Sequence, residues 1–486
     1  MGENSTLVLF GARGNLAKIK LIPGLFHLDE SGKLPEGMKI LSIGRQKIED
    51  DVWKAEIKEM LDVKFKKKYE KNVFDRFIAR NFYHANEPED PDAFKRLSNK
   101  LLNSGDFSKN IAFFLSVRPS DFSTIVDQLA AENLLKEDGF WKRVLIEKPF
   151  GTNLETAIEL QKSISRHLAE TQIYRIDHYL GKSALQNILM TRFNNAILEP
   201  LWNKNYIDHI QITNHETLGV GERTTFYDST GALRDMIQSH LLQMLALTAM
   251  EKPASLNPDD IRKEKIKLLE SINPIPINEI EKNAFRAQYS KGTSNSEGNV
   301  LGYLEELGDD KSVVETYAAL KLFINNERWN GVPIYLRTAK RMHEAGTYIS
   351  IKFKNKDDLV KTDKSNWLVI SIQPRESTHF EIQTKTPGLD DSLMRTTRLE
   401  GLNRIDGDET IDSYETLMLD LMSGNQSRFL HIDEVKAAWS LVDPVIVEWV
   451  KDKNKVHQYP SGSGDPIESK IIFENPDQFW RKSINN

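Results

Sequence analysis

The sequence predicts a two-part chain: an N-terminal α/β domain built on a parallel sheet, then a larger α+β domain with a mostly antiparallel sheet. Three observations carry this. Through the first third, short apolar β-branched runs alternate with helical patterns, as in a parallel sheet whose crossover helices cover both faces. Beyond about residue 180 the pattern changes to alternating strands with fewer helices between them. The length, 486 residues, exceeds what one hydrophobic core supports, so two domains are expected, at 1–178 and 179–486.

The elements follow in order. LVLF (Leu7–Phe10) is the first strand, and a glycine-containing turn leads from it into the helical pattern LAKIKLIPGLFHL. MKILSIG (Met38–Gly44) is the second strand. A long charged amphipathic region separates it from the strand IAFFLSV (Ile111–Val117), the helix DFSTIVDQLAAENLL and the strand RVLIEK (Arg143–Lys148). A helix beginning near Glu155 precedes one more strand in QIYRID (Gln172–Asp177).

In the second part YIDHIQITNHE (Tyr206–Glu216), YISIKF (Tyr348–Phe353), WLVISIQP (Trp367–Pro374) and FEIQTKT (Phe380–Thr386) read as strands of one sheet. Helices at Thr230–Met250, Tyr414–Leu421 and Glu434–Val450 are expected to cover one of its faces. INPIPINEIEK and YSKGTSNSEGN read as surface loops.

Composition narrows the chemistry. At 39% hydrophobic and 28% charged residues the chain has an ordinary globular balance. It has no cysteine, which excludes a disulfide framework, a zinc–thiolate site and a cysteine nucleophile, and fits a reducing cytoplasm. The net charge of −6 gives no general attraction to nucleic acid or anionic lipid. KFKKKYEK (Lys64–Lys71) is a local basic exception that reads as a solvated helix face. TLVLFGA lacks the basic flank and length of a signal peptide, and LLQMLALTAM is too short for a membrane span.

GARGNLAKIK (Gly11–Lys20) follows the first strand and opens a helix. Its Gly11, Gly14 and Ala17 form a G-x-x-G-x-x-A variant of the dinucleotide fingerprint of Rossmann domains. Gly11 permits the tight turn, Gly14 lets the backbone approach a pyrophosphate, and Ala17 lets the helix pack closely on the sheet. The cofactor loop is accordingly Gly11, Ala12, Arg13, Gly14, Asn15 and Leu16. Arg45, after the second strand, stands where NAD-specific domains carry an acid, so it favours the 2′-phosphate of NADP. Glu49, Asp50 and Asp51 follow closely and leave NAD use open.

Four segments, in this order and spacing, form a specific set: GARGNLAKIK, EKPFG (Glu147–Gly151), RIDHYLGK (Arg175–Lys182) and GALRDMIQSHLLQ (Gly231–Gln243). On these the chain resembles the glucose-6-phosphate dehydrogenase family, most closely its bacterial members. The similarity runs on through RWNGVPIYLRTAKR (Arg328–Arg341) to DEVKAAWSLVDPV (Asp433–Val445). The resemblance implies a Rossmann domain, an α+β domain with a large antiparallel sheet, and a homodimer formed through that sheet, with a dimer of dimers open. It implies oxidation of glucose 6-phosphate to 6-phosphogluconolactone with NADP, the first step of the oxidative pentose phosphate pathway, in the cytoplasm and without a metal.

Carried over residue by residue, the resemblance makes His240 the general base and Asp177 its carboxylate partner. Lys148 touches substrate and cofactor, and Lys20 lies near the active site. His178, Tyr179 and Lys182 bind the substrate phosphate, Glu216 and Asp235 the sugar hydroxyls, and Lys340 a further part of the substrate. The chain departs from the family pattern at Arg13, where Ser or Thr is usual, at Asn15 for Asp, and at Ser239 for the Asn before the base. It departs also at Ala339 for Gly, and at Ala345, where a basic residue is common.

Local geometry bears on these roles. Asp177 and His178 are adjacent, and neighbours on a strand or helix do not face each other, so an imidazole oriented by Asp177 must come from elsewhere in the chain. His178 and Lys182, four apart, can face one anion if the chain turns helical after the strand. His240, between Ile237 and Met244 on an apolar helix, reads by itself as a core histidine; only the resemblance makes it the base. Two other readings compete: a sugar oxidoreductase of the glucose–fructose oxidoreductase type, which lacks RIDHYLGK, and a non-catalytic NADP-binding protein.

Overall fold

The computed structural model describes residues 4–87, 90–355, 364–390, 392–403, 411–452 and 456–482. The chain divides into two units, one of residues 1–182, 256–262 and 410–432, the other of 183–255, 263–409 and 433–486. The first unit therefore runs four residues past the expected boundary at 178, and two distant segments return to it.

The first unit carries β1 (Thr6–Phe10), β2 (Lys39–Gly44), β3 (Asn81–Ala85), β4 (Ile111–Leu115), β5 (Lys142–Ile146) and β6 (Ile173–Ile176). They pair all-parallel in the order β3-β2-β1-β4-β5-β6, the Rossmann order. Every residue of β1 and β4 is buried, which is why these strands are continuous apolar runs. β3 was not anticipated: NFYHA is a half-exposed edge strand inside a charged stretch, so it has no apolar run to betray it. A two-residue strand, Phe429–Leu430, adds antiparallel to β6.

The helix expected at Tyr414–Leu421 runs Ser413–Ser423. It belongs to the first unit, not to the unit that holds the antiparallel sheet, with Leu417, Met418 and Leu421 in the same apolar core as Leu21 and Leu25. Its pattern specifies an apolar face but not the partner that receives it.

In the second unit nine strands form one sheet. From edge to edge they are Met394–Leu402, Ser377–Lys385, Trp367–Gln373, Gly346–Phe353, Ile207–His215, Pro333–Ala339, Tyr317–Phe323, Ala284–Ser290 and His457–Pro460. Only two neighbouring pairs are parallel, Ile207–His215 with Pro333–Ala339 and Ala284–Ser290 with His457–Pro460. Part of the stretch read as a loop pairs as a hairpin, Gly292–Ser294 with Gly298–Val300.

The helix expected at Thr230–Met250 packs against the central strands, but Leu233–Leu241 within it is π-helical before Leu242–Ala249 becomes α-helical. In the first unit Ala17–Leu21 is likewise π-helical, just ahead of Pro23. A proline inside a helix lacks its N–H and collides with an earlier carbonyl, and a π turn accommodates both. Among the described residues no helix is long and apolar enough to cross a membrane.

Candidate active site

The fingerprint loop is shaped by what Gly11 omits. Its φ is +74°, and a Cβ there would lie 2.1 Å from the Ser116 carbonyl oxygen. The turn closes through Gly14 N–H to Gly11 C=O at 2.8 Å, and Lys18 N–H reaches Gly14 C=O at 3.0 Å. Ala12 and Ala17 are fully buried, whereas Gly14 and Asn15 are exposed at the start of the helix. Backbone left open at Gly14, at the N-terminus of a helix, suits a pyrophosphate. These residues fit a nicotinamide dinucleotide.

The two arginines near this loop differ. Arg45 is exposed at the end of β2 and has no hydrogen bond or ion pair among the described residues. Arg13 is committed: Nε and Nη2 donate to the two Glu56 carboxylate oxygens at 3.0 and 2.8 Å, and Nη1 donates to Gln46 Oε1 at 2.5 Å. The departure at position 13 thus brings its own counter-ion.

RIDHYLGK leaves the sheet after β6 as a turn. His178–Gly181 are not helical, and the helix starts at Ser183. Asp177 is buried, and its Oδ1 accepts the Tyr179 N–H at 2.9 Å, which orients the carboxylate. Lys182 places its Nζ 4.0 Å from the centre of the Tyr179 ring, and His178 lies parallel to the Tyr414 ring at 6.4 Å. The turn therefore gathers His178, Tyr179 and Lys182 without the helical spacing that was expected. Gly181 is required by packing, because a Cβ there would sit 2.6 Å from Ser413 C=O.

EKPFG follows β5. Lys148 is half-buried, and the Lys148–Pro149 bond is cis. Burial pushes the Glu147 carboxyl up to about 7, against the opposing pull of the Tyr414 hydroxyl and the Lys148 ammonium. Lys20, in the π-helical turn, donates to Asp412 at 2.8 Å. Asp412, Tyr414 and Glu147 escaped the sequence reading. The D-x-x-E of Asp412 and Glu415 is a capping-box signature that was there to be found.

In the second unit the parallel pairing of Ile207–His215 with Pro333–Ala339 sets Ala339 beside His215. The residues that follow, Glu216 and Lys340, consequently emerge at the same end of the sheet and form an ion pair. Tyr459 Oη donates to the Lys340 C=O at 2.6 Å and fixes its backbone. Arg341 next to it has φ +55°, unusual for a side chain of this size, and is held by Glu297 at 2.9 Å and Glu306 at 3.0 Å. Ala339 is buried and Ala345 exposed.

Asp235 and His240 both lie on the π-helical stretch, Asp235 half-exposed and His240 buried. Ser239 turns its hydroxyl back to the Asp235 C=O at 2.8 Å, the usual behaviour of serine inside a helix. π-helical turns recur at functional positions, and here two of them carry Lys20, Asp235 and His240.

Comparison with known proteins adds independent evidence. The family described as "Glucose-6-phosphate dehydrogenase, NAD binding domain" matches residues 8–187, and "Glucose-6-phosphate dehydrogenase, C-terminal domain" matches 189–481. The chain is 39% identical to a glucose-6-phosphate 1-dehydrogenase of Chlamydia pneumoniae, over 98% of this chain and 95% of that protein. It is 37% identical to that of Bacillus subtilis (strain 168), over 98% of each. A solved glucose-6-phosphate dehydrogenase in complex with its substrate glucose-6-phosphate matches with a TM-score of 0.89 and 31% identity over 99% of both chains. A levoglucosan dehydrogenase, at TM-score 0.50 and 9% identity over 92% of this chain and 98% of that one, shares the fold alone.

Proposed function

The chain belongs to the glucose-6-phosphate dehydrogenase family, and from that membership we propose that it oxidises glucose 6-phosphate at C1 with NADP preferred to NAD and His240 as general base. The observation that carries the cofactor preference is Arg45: an exposed cation without a partner among the described residues, at the end of β2, offers a bidentate donor to a 2′-phosphate.

In this reading His178, Tyr179 and Lys182 hold the substrate phosphate, and Lys148 and Lys20 hold the sugar near the cofactor. Glu216 and Asp235 take its hydroxyls, and Lys340 holds a further part of the substrate. His240 removes the C1 hydroxyl proton, and Asp177 stabilises the imidazolium so formed. Anchoring of the remote phosphate restricts the sugar to a reactive geometry, so its binding energy serves the chemical step. The nicotinamide, when bound, supplies the hydride acceptor. The loop Gly11–Leu16 holds the pyrophosphate.

Two further readings rest on the family. The chain forms a homodimer through the antiparallel sheet; the outer strand Met394–Leu402 is exposed along most of its length, including Leu399 and Leu402. Light scattering at micromolar concentration tests this, and a monomer refutes it. The enzyme works in the cytoplasm, in keeping with a chain that has no cysteine.

Steady-state kinetics with glucose 6-phosphate and glucose, each with NADP and NAD, test the function. A higher kcat/KM with glucose 6-phosphate and NADP than with any other pair is expected. Equal turnover of unphosphorylated glucose would instead favour the broader class of sugar oxidoreductases.

A further inference from the structure

The fingerprint loop and the segment after β2 are joined by a polar cluster that the reaction itself does not require. Arg13 bridges them, with Nε and Nη2 on Glu56 and Nη1 on Gln46, the residue that follows Arg45. The cluster is held firmly on both sides. Tyr83 of β3 donates its hydroxyl to the Gln46 C=O at 2.7 Å and packs its ring on Trp53 at 5.4 Å. Trp53, fully buried, seats the helix Asp50–Phe65 that carries Glu56 one turn further on. The Glu56 side chain is only 21% exposed and that of Arg13 34%, so the pair is partly withdrawn from water.

Charge decides what such a pair does beside Arg45. A carboxylate bound through both oxygens to a guanidinium cancels most of that cation's attraction for a nearby dianion and adds its own repulsion. Without Glu56, Arg13 and Arg45 would present two cations to a 2′-phosphate. With it they present one. We propose that Glu56 is a specificity-determining residue, which holds and neutralises Arg13 and so limits the preference for NADP over NAD. This rests on the reading of Arg45 as the 2′-phosphate donor.

Two consequences have opposite signs. Glu56→Gln keeps a hydrogen-bond acceptor for Arg13 but removes the negative charge, so NADP should bind more tightly. Arg13→Ala leaves the Glu56 carboxylate without its counter-ion near the phosphate site, so NADP should bind more weakly than in a variant lacking both charges.

Isothermal calorimetry on the full-length protein, without sugar, measures the Kd of NADP and NAD for wild type, Arg45→Ala, Glu56→Gln, Arg13→Ala and the double variant Arg13→Ala/Glu56→Gln. For Glu56→Gln, NADP affinity should rise about fivefold while NAD affinity changes less than about twofold. Arg13→Ala should weaken NADP more than the double variant does. An unchanged NADP/NAD affinity ratio in Glu56→Gln, or equal NADP affinities for Arg13→Ala and the double variant, overturns the role of Glu56. Arg45→Ala separates the two layers of the argument: if it leaves NADP affinity intact, the 2′-phosphate reading falls and the proposal falls with it. If it weakens NADP while Glu56→Gln does nothing, only the proposal falls.

Discussion

Lys20 Nζ donates to Asp412 Oδ2 at 2.8 Å, tying the fingerprint helix to a residue 392 positions further along the chain. The other oxygen of the same carboxylate accepts the Tyr414 N–H at 3.0 Å, and Glu415 accepts the Asp412 N–H at 3.3 Å, which completes a capping box for the helix Ser413–Ser423. One aspartate is both counter-ion and cap. The ion pair is solvated, with side-chain exposures of 42% and 36%, so its own contribution to stability is at most ~1 kcal/mol.

Substitution separates the two duties. Asp412→Asn retains an oxygen for the cap but releases Lys20, so it should leave thermal stability nearly unchanged while altering KM for glucose 6-phosphate. Asp412→Ala loses both and should cost about 1 kcal/mol more than the Asn variant. Melting temperatures and KM values of the two variants check this. Equal stabilities would remove the cap from the account.

His240 and Lys182 are assigned different parts of the reaction, and kinetics distinguish them. His240→Asn should lower kcat by a factor on the order of 10² to 10⁴ with a smaller change in KM. On the proposed phosphate-anchoring role, Lys182→Ala should raise KM for glucose 6-phosphate roughly tenfold or more, with kcat less affected, because it would remove a charge-assisted contact. A near-normal kcat for His240→Asn would end its assignment as the base, and an unchanged KM for Lys182→Ala its assignment as an anchor.

Glu147 should imprint a pH dependence on stability. Burial raises its carboxyl from an ordinary 4.5 to about 7. Between these values the unfolded chain has lost the proton and the folded chain keeps it. Stability from this group is therefore complete below about 4.5 and is lost as pH rises towards 7, by on the order of 3 kcal/mol. Glu147→Gln should remove that decline, seen by comparing urea midpoints at pH 5 and 7.5. A parallel pH dependence in the variant would show that Glu147 is not its source.

What could be read from the sequence depended on how local its cause was. β1, β2, β4 and β5 were legible because burial on both faces makes them apolar runs bounded by turns. YAALKLF (Tyr317–Phe323) and PIYLRTA (Pro333–Ala339) were missed although both are buried, since each interrupts its run with a basic residue, Lys321 or Arg337, that finds a partner only in the folded chain. The fingerprint loop lies within a few residues and was legible as a unit, whereas RIDHYLGK was legible as a motif but not as a turn. The Lys340–Glu216 pair follows from a strand register, and the Arg13–Glu56 pair from the seating of a helix; neither leaves a short-range signal.

Arg337 shows what such a partner is for. Its guanidinium is fully buried; Nε donates to Thr213 Oγ1 at 2.9 Å and Nη2 to Tyr348 Oη at 3.0 Å, while Nη1 forms an ion pair with Asp465. Asp465 also accepts the Tyr317 hydroxyl at 3.0 Å and lies 3.5 Å from His215 Nε2. His215 offers no charge in return, because burial and the Arg337 cation push it down to about 3. Asp465→Ala therefore strands a buried cation and should cost about 3–5 kcal/mol, whereas Asp465→Ala/Arg337→Met should recover most of the loss. Trp480, whose ring lies 4.6 Å from the Arg337 guanidinium, reports the urea midpoint by fluorescence. A loss below about 1 kcal/mol in the single variant would contradict the role of Asp465. Since Arg337 and His215 flank the register from which Lys340 and Glu216 emerge, the single variant should also raise KM for glucose 6-phosphate, and the double variant should restore it.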